Sequence, residues 1–208
     1  MKKVFVFIAI VCALSLSINA QPAGYQLLTG DSKTAMTKKI TSASSQLKTL
    51  KVNFTQEKTS KVFTSKVTSS GKMSYKKPSY LLWSYTSPTA YSIILNDKGA
   101  FFKNAKGSMK NKAIGELGGL LARTVGGDGL VSSSDFSVEY YQKSDIAVVM
   151  KPKVKKMQDM YSKIEVFLNP TTYLATKVKI TEKNGDVTVI NFSGHQKNVT
   201  IADSEFKE

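Results

Sequence analysis

The sequence predicts a mainly β fold with one long helix, in which a single curved antiparallel sheet carries one apolar face. Three observations predict it. An apolar stripe at helical spacing lies near the N-terminus, and period-two alternation then recurs from residue 52 to 189. Turn signals rich in Asn, Asp, Gly and Pro separate the alternating runs at short intervals. The length of 208 residues suits one domain or two small ones, with bulk enough for a sizeable core.

The chain opens with an export signal. Met1-Lys2-Lys3 is cationic, Val4 to Leu16 is apolar except for Ser15, and Ser17-Ile18-Asn19-Ala20 ends on a small residue. The 13-residue apolar core is shorter than the ~20 residues of a membrane-spanning helix, which favours cleavage after Ala20 over an anchor. Residues 1–20 therefore read as a signal peptide and 21–208 as the mature domain, destined for the periplasm. Cys12 leaves with the signal, and Val11 before it is not the small residue of a lipoprotein signal. The mature chain keeps 28 Lys+Arg against 15 Asp+Glu, a net +13.

After a polar lead at 21–30, Asp31 or Ser32 is placed to cap a helix starting near Lys33. Met36, Ile40, Ala43, Leu47 and Leu50 recur at steps of four and three, predicting one apolar stripe on a helix over 33–50. Alternation follows at Val52 and Phe54, Met73 and Tyr75, Leu81, Trp83 and Tyr85, then Tyr91, Ile93 and Leu95. Asn96-Asp97-Lys98-Gly99 reads as a hairpin turn. Further strands centre on Val138, Val148, Val166, Val178 and Val187, with turns at Asn169-Pro170 and Lys183–Asp186. The spacing predicts a long antiparallel meander.

Residues 106–130 interrupt the pattern. Ala113, Ile114, Leu117, Leu120 and Leu121 fit a short helical stripe after a cap at Asn111, yet Gly115, Gly118 and Gly119 lie inside it. Each such glycine costs about 1 kcal/mol relative to Ala. With Gly126-Gly127-Asp128-Gly129 beside it, the segment fits either a mobile lid or an ordinary crossover helix.

Catalytic constellations are missing. One His and one Cys exclude zinc fingers, Cys/His cages and disulfide scaffolds. No G-x-S-x-G elbow, P-loop, Rossmann fingerprint or H-E-x-x-H occurs, so neither an enzyme nor a cofactor is expected. His195, beside Gly194, reads as a surface or strand-end histidine. The cationic excess is almost all Lys, with Arg123 the one Arg, which argues against bidentate grip on phosphate or guanine. Export also argues against nucleic acid as a partner. Lys151, Lys153, Lys155 and Lys156 read as a solvated loop, and Lys76-Lys77 as a second basic cluster.

The segments Val52-Asn53-Phe54-Thr55-Gln56 and Gly71-Lys72-Met73-Ser74-Tyr75-Lys76-Lys77-Pro78-Ser79-Tyr80-Leu81-Leu82-Trp83-Ser84-Tyr85 resemble the periplasmic outer-membrane lipoprotein carriers, the LolA-like family. The similarity continues through the Asn96–Gly99 turn and Met150-Lys151-Pro152-Lys153. It implies a half-open, incomplete antiparallel β-barrel closed by a helical lid. It also implies a carrier that shields lipoprotein acyl chains. Its partners would be acylated lipoproteins, an inner-membrane release complex and an outer-membrane acceptor, and the protein would be a monomer. On this resemblance Phe54, Met73, Tyr75, Leu81, Trp83, Tyr85 and Ile93 line the acyl cavity, although the same seven could form a closed core. Met36, Ile40, Leu47, Ile114, Leu117 and Leu121 become lid residues. The family typically has Arg before the Pro, bonding to lid backbone; here Lys77 takes that place as the latch. Two other readings keep their place: a carrier or sensor of another lipid or glycolipid, and an exported adhesion or scaffold protein with a dry core.

Overall fold

The computed structural model describes residues 21–62, 66–131 and 133–208, and for 112–117 the backbone alone. The expected signal peptide, 1–20, lies outside the described residues. Twelve strands form one antiparallel sheet that does not close into a barrel. They are β1 (Gln26–Leu27), β2 (Thr49–Thr59), β3 (Lys66–Lys76), β4 (Tyr80–Ser87), β5 (Tyr91–Asn96), β6 (Gly99–Asn104), β7 (Gly107–Lys110), β8 (Phe136–Gln142), β9 (Ile146–Pro152), β10 (Tyr161–Leu168), β11 (Ala175–Glu182) and β12 (Val187–Lys197). The single meander expected from the sequence is instead two, β2 to β7 and β8 to β12, joined where β12 pairs with β2. That junction aligns Phe192 with Phe54 and Ile190 with Gln56.

Helix α1 (Gly30–Gln46) starts and stops earlier than its apolar stripe suggests. Thr29 takes the cap position, and its N–H donates to Ser32 Oγ at 3.1 Å. At the other end Asn198 replaces the next turn: its amide donates to the Gln46 carbonyl at 3.0 Å and its oxygen accepts from the Lys48 N–H at 2.8 Å. Leu47 and Leu50 thus leave the helix, Leu47 as its C-cap and Leu50 on β2, and both remain buried. The predicted short helical stripe after Asn111 is helix α2 (Lys112–Gly126), which runs on into the glycine-rich segment, and β7 precedes it inside what the sequence presents as a break. Helix α3 (Lys155–Met160) occupies the expected lysine loop, with Lys151 on β9. Its side chains are exposed or half-buried, so only local hydrogen bonding and the charges of Lys155 and Asp159 mark it.

The sheet buries one face against α1 and α2, and parts of the other face as well. Tyr141, Ala147, Val149 and Phe167 form a second cluster with Tyr25. Ile94 is 1 % exposed, and the C-terminal 3-10 turn Asp203–Phe206 packs on β4 and β5. The expectation of one apolar face is met by the inner face only.

Candidate functional site

Cross-strand register assembles the site. Val52 faces Met73, Met73 faces Trp83 and Trp83 faces Ile93, giving one row across β2 to β5. Leu50, Tyr75, Leu81 and Leu95 form the next row, and Phe54, Gly71, Tyr85 and Tyr91 a third. All seven sequence-identified wall residues therefore lie on one patch of the inner face. Aromatic rings tie the rows together: Phe54 and Trp83 have centroids 4.6 Å apart, and Tyr85 stacks on Tyr91 at 4.4 Å. The patch is packed tight, with exposures from 0 % at Leu81 and Trp83 to 9 % at Tyr85. Within it the Trp83 Nε1–H is buried beside the Tyr85 phenol without a well-formed hydrogen bond.

Helix α2 covers this patch. Leu121 is 6 % exposed in the same core, as are Met36 of α1 at 6 % and Ile40 at 1 %. The side chains of Ile114 and Leu117 lie outside the described residues. Gly118, read from the sequence as a weak point, and Gly126, at the end of the helix, are points of close approach, whereas Gly119 has open space around it. A Cβ on Gly118 would stand 3.0 Å from Leu95 Cδ1, and one on Gly126 would stand 2.6 Å from the Tyr75 hydroxyl oxygen. Small residues let the helix settle directly on β3 and β5.

A polar cluster pins the end of α2. The Ser44 hydroxyl, on the last turn of α1, lies 2.6 Å from the Gly126 carbonyl and 2.6 Å from Asp128 Oδ1. One hydroxyl proton faces two acceptors, so Ser44 holds this end through one hydrogen bond at a time. Lys77 Nζ donates to the Ser44 carbonyl at 2.8 Å and stands 3.8 Å from Asp128 Oδ1. Its charge sits at the C-terminal end of α1, where the helix dipole favours a cation. This bond goes to the backbone of α1, the helix that carries the expected lid residues Met36 and Ile40, and Lys77 meets the α2 end through Ser44 and Asp128. Tyr140 donates to the Leu130 carbonyl at 2.7 Å, anchoring the segment that follows. Burial, and secondarily the Asp128 carboxylate, push the Tyr75 phenol up to about 12.

Two clefts flank the packed patch. One, of about 520 Å³, opens between α2 and strands β3, β5 and β6, lined by Tyr75, Leu95, Ala100, Gly119 and Ala122 among others. Tyr75 is the one wall residue that reaches it. The other, of about 690 Å³, lies between α1, the β10–β11 turn and the end of β12, where His195 stands half-buried. Sequence reasoning passed over this cleft, and the Gly194-His195 pair was its one visible trace. Among the described residues no cluster of His, Cys, Asp and Glu could hold a metal ion, and no helix is long and apolar enough to cross a membrane.

The family model of the outer membrane lipoprotein carrier protein LolA matches residues 45–208. No curated protein matches the chain. Among solved structures, a DUF1329 family protein from Desulfovibrio piger is 12 % identical, with 85 % of this chain and 96 % of that chain covered at a TM-score of 0.47. A LolA superfamily protein from Nitrosomonas europaea is 11 % identical, with 83 % and 97 % covered at 0.46. The Mycobacterium tuberculosis lipoprotein LppX is 11 % identical, with 84 % and 99 % covered at 0.47.

Proposed function

This chain belongs to the LolA family of outer membrane lipoprotein carrier proteins, and from that premise we propose that it shuttles acylated lipoproteins across the periplasm. Residues 1–20 export it, an inner-membrane release complex loads it, and an outer-membrane acceptor unloads it. The observation that carries this reading is the three-row apolar patch beneath a helix that packs on it through Leu120, Leu121 and Val125 and is pinned at one end by polar contacts. Moving one ~16-carbon chain from water into such a site releases on the order of 12 kcal/mol gross, at about 0.8 kcal/mol per methylene. A carrier retaining all of that would not release its cargo. Here the cargo must displace α2 from the wall, and the helix regains that packing when the cargo leaves. The competition makes transfer reversible.

The Trp83 Nε1–H, buried beside the Tyr85 phenol without a well-formed hydrogen bond, supports the same reading, because an ester carbonyl entering the patch would accept from it. The near-complete burial of all seven wall residues favours a second reading, an exported scaffold with a closed core. Co-purification with one lipoprotein in acylated and unacylated forms separates the two. The carrier captures only the acylated form; a scaffold captures neither, or both alike.

A further inference from the structure

The cleft beneath α1 has features that the packed patch lacks. On α1, Lys39, Ser42, Ala43 and Gln46 follow helical spacing and form one stripe facing it. Across from them stand Asn169, Thr171, Thr172, Tyr173, Leu174 and Thr176 of the β10–β11 hairpin. His195 and Lys197 complete the lining, which contains two lysines and no Asp or Glu.

Two backbone irregularities turn side chains into this space. Along β12, Ile190 and Phe192 point inward, so strict alternation would place His195 and Lys197 on the outer face. Between Ser193 and Gln196 the pairing with β2 gains one extra residue, a β-bulge, and Gly194 takes φ +63° there. The bulge reverses the parity, bringing His195 and Lys197 inward while Gln196 joins Gly194 on the outer side. A Cβ on Gly194 would lie 2.9 Å from Asn53 Nδ2, so the bulge needs glycine for space as well as for φ. Opposite, Tyr173 holds φ +58°, a conformation unfavourable for an aromatic residue. The Asn169 side chain fixes that turn by accepting from the Thr171 and Thr172 N–H groups, each at 2.9 Å.

His195 also separates this cleft from the interior. Its Nε2 lies 2.8 Å from the Ala175 carbonyl, which only accepts, so Nε2 carries the proton. Behind the ring runs a narrow apolar seam lined by Leu50, Val52, Met73, Val125 and Phe192, too tight for water. The cleft thus has cations and hydroxyls at its rim, apolar surface on Ala43, Tyr173 and Leu174, and a histidine wall before the core.

We propose that this cleft is a second binding site, for the phosphate headgroup of an anionic lipid. Lys39 and Lys197 hold the phosphate, and the lipid chain lies on Ala43, Tyr173 and Leu174 toward His195. A volume of about 690 Å³ falls in the 300–1,000 Å³ range of small-molecule sites. The acid-free lining selects an anion. The site stands whether or not the protein carries lipoproteins under α2.

Titration calorimetry on protein purified after expression of the full chain tests it. The probes are short-chain phosphatidylglycerol below its micelle concentration, matched phosphatidylcholine, and inorganic phosphate. Phosphatidylglycerol is expected to bind well above the other two, and the double variant Lys39→Ala/Lys197→Ala to lose about tenfold in its affinity. Lys39→Arg/Lys197→Arg is expected to keep binding, which controls for folding. Capture of acylated lipoprotein is expected to be the same in all three proteins. Equal binding of both lipids, unchanged affinity in the alanine variant, or inorganic phosphate binding as tightly as the lipid would overturn the proposal.

Discussion

Lys77 Nζ donates a 2.8 Å hydrogen bond to the Ser44 carbonyl and lies 3.8 Å from the Asp128 carboxylate. One ammonium thus joins the end of β3, the end of α1 and the segment leaving α2. Lys77→Met removes the bond and the charge while keeping the aliphatic stem. The expected loss is about 1–2 kcal/mol in the closure of α2, the Lys77 side chain being partly solvated. Hydrogen exchange of amides 118–126 should quicken roughly tenfold for each 1.4 kcal/mol lost, with Lys77→Arg near wild type. Unchanged exchange in Lys77→Met would remove Lys77 from the latch.

Two glycines on α2 should respond oppositely to alanine. Gly119 has open space around it, so Gly119→Ala should stabilise by about 0.5–1 kcal/mol through helix propensity. At Gly126 the new Cβ would meet the buried Tyr75 ring, its Cζ 2.9 Å away. Gly126→Ala should cost about 1–3 kcal/mol from overpacking and lift this end of α2. Denaturant unfolding of both variants reads the difference. Equal shifts of the same sign would show that α2 does not rest on Tyr75.

Trp83→Phe distinguishes a ligand-holding patch from a dry core. The indole N–H is buried beside the Tyr85 phenol, and its loss together with the smaller ring should cost about 1–3 kcal/mol of stability. Acylated-lipoprotein affinity should fall several-fold. A variant that captures cargo as well as wild type would take Trp83 out of the binding reading.

Acid should loosen the C-terminal segment. Burial pushes the Glu205 carboxyl up, but hydrogen bonds from Lys51, at 2.8 Å, and Ser74, with the Lys51 charge, outweigh it and hold the group below the usual carboxylate range. Its contribution to stability is therefore full above the unfolded value of about 4.3 and lost as pH falls through the lower folded value. Unfolding midpoints of wild type and Glu205→Gln should differ at neutral pH and converge below about pH 4. A constant gap across that range would contradict the linkage.

Much of the sheet was legible because alternation and turns are local signals. The Asn96–Gly99 hairpin, with the Lys98 N–H bonded to Asn96 Oδ1 at 3.0 Å, is written in four adjacent residues. The end of α1 was not legible, since Asn198 imposes it from 150 positions away. Strand β7 is exposed at all four residues and leaves no apolar alternation to find. The wall residues were identifiable by face, but register alone brings Met73, Trp83 and Ile93 into one row. Gly118 read as helix weakness and Gly126 as part of a glycine segment beside the helix, and both become close packing once Leu95 and Tyr75 lie beneath them. The Gly194 bulge breaks the very periodicity by which strands are read, so the inward turn of His195 could not be seen.

Release from inner-membrane spheroplasts, with the purified protein added to the medium, tests most directly whether the chain accepts lipoproteins by their acyl chains and carries them in soluble form. Acylated lipoprotein should appear in the supernatant in one-to-one complex with wild type, and in reduced amount with Trp83→Phe. Failure of the wild-type protein to release any lipoprotein, while a known carrier does so in the same preparation, would contradict the account.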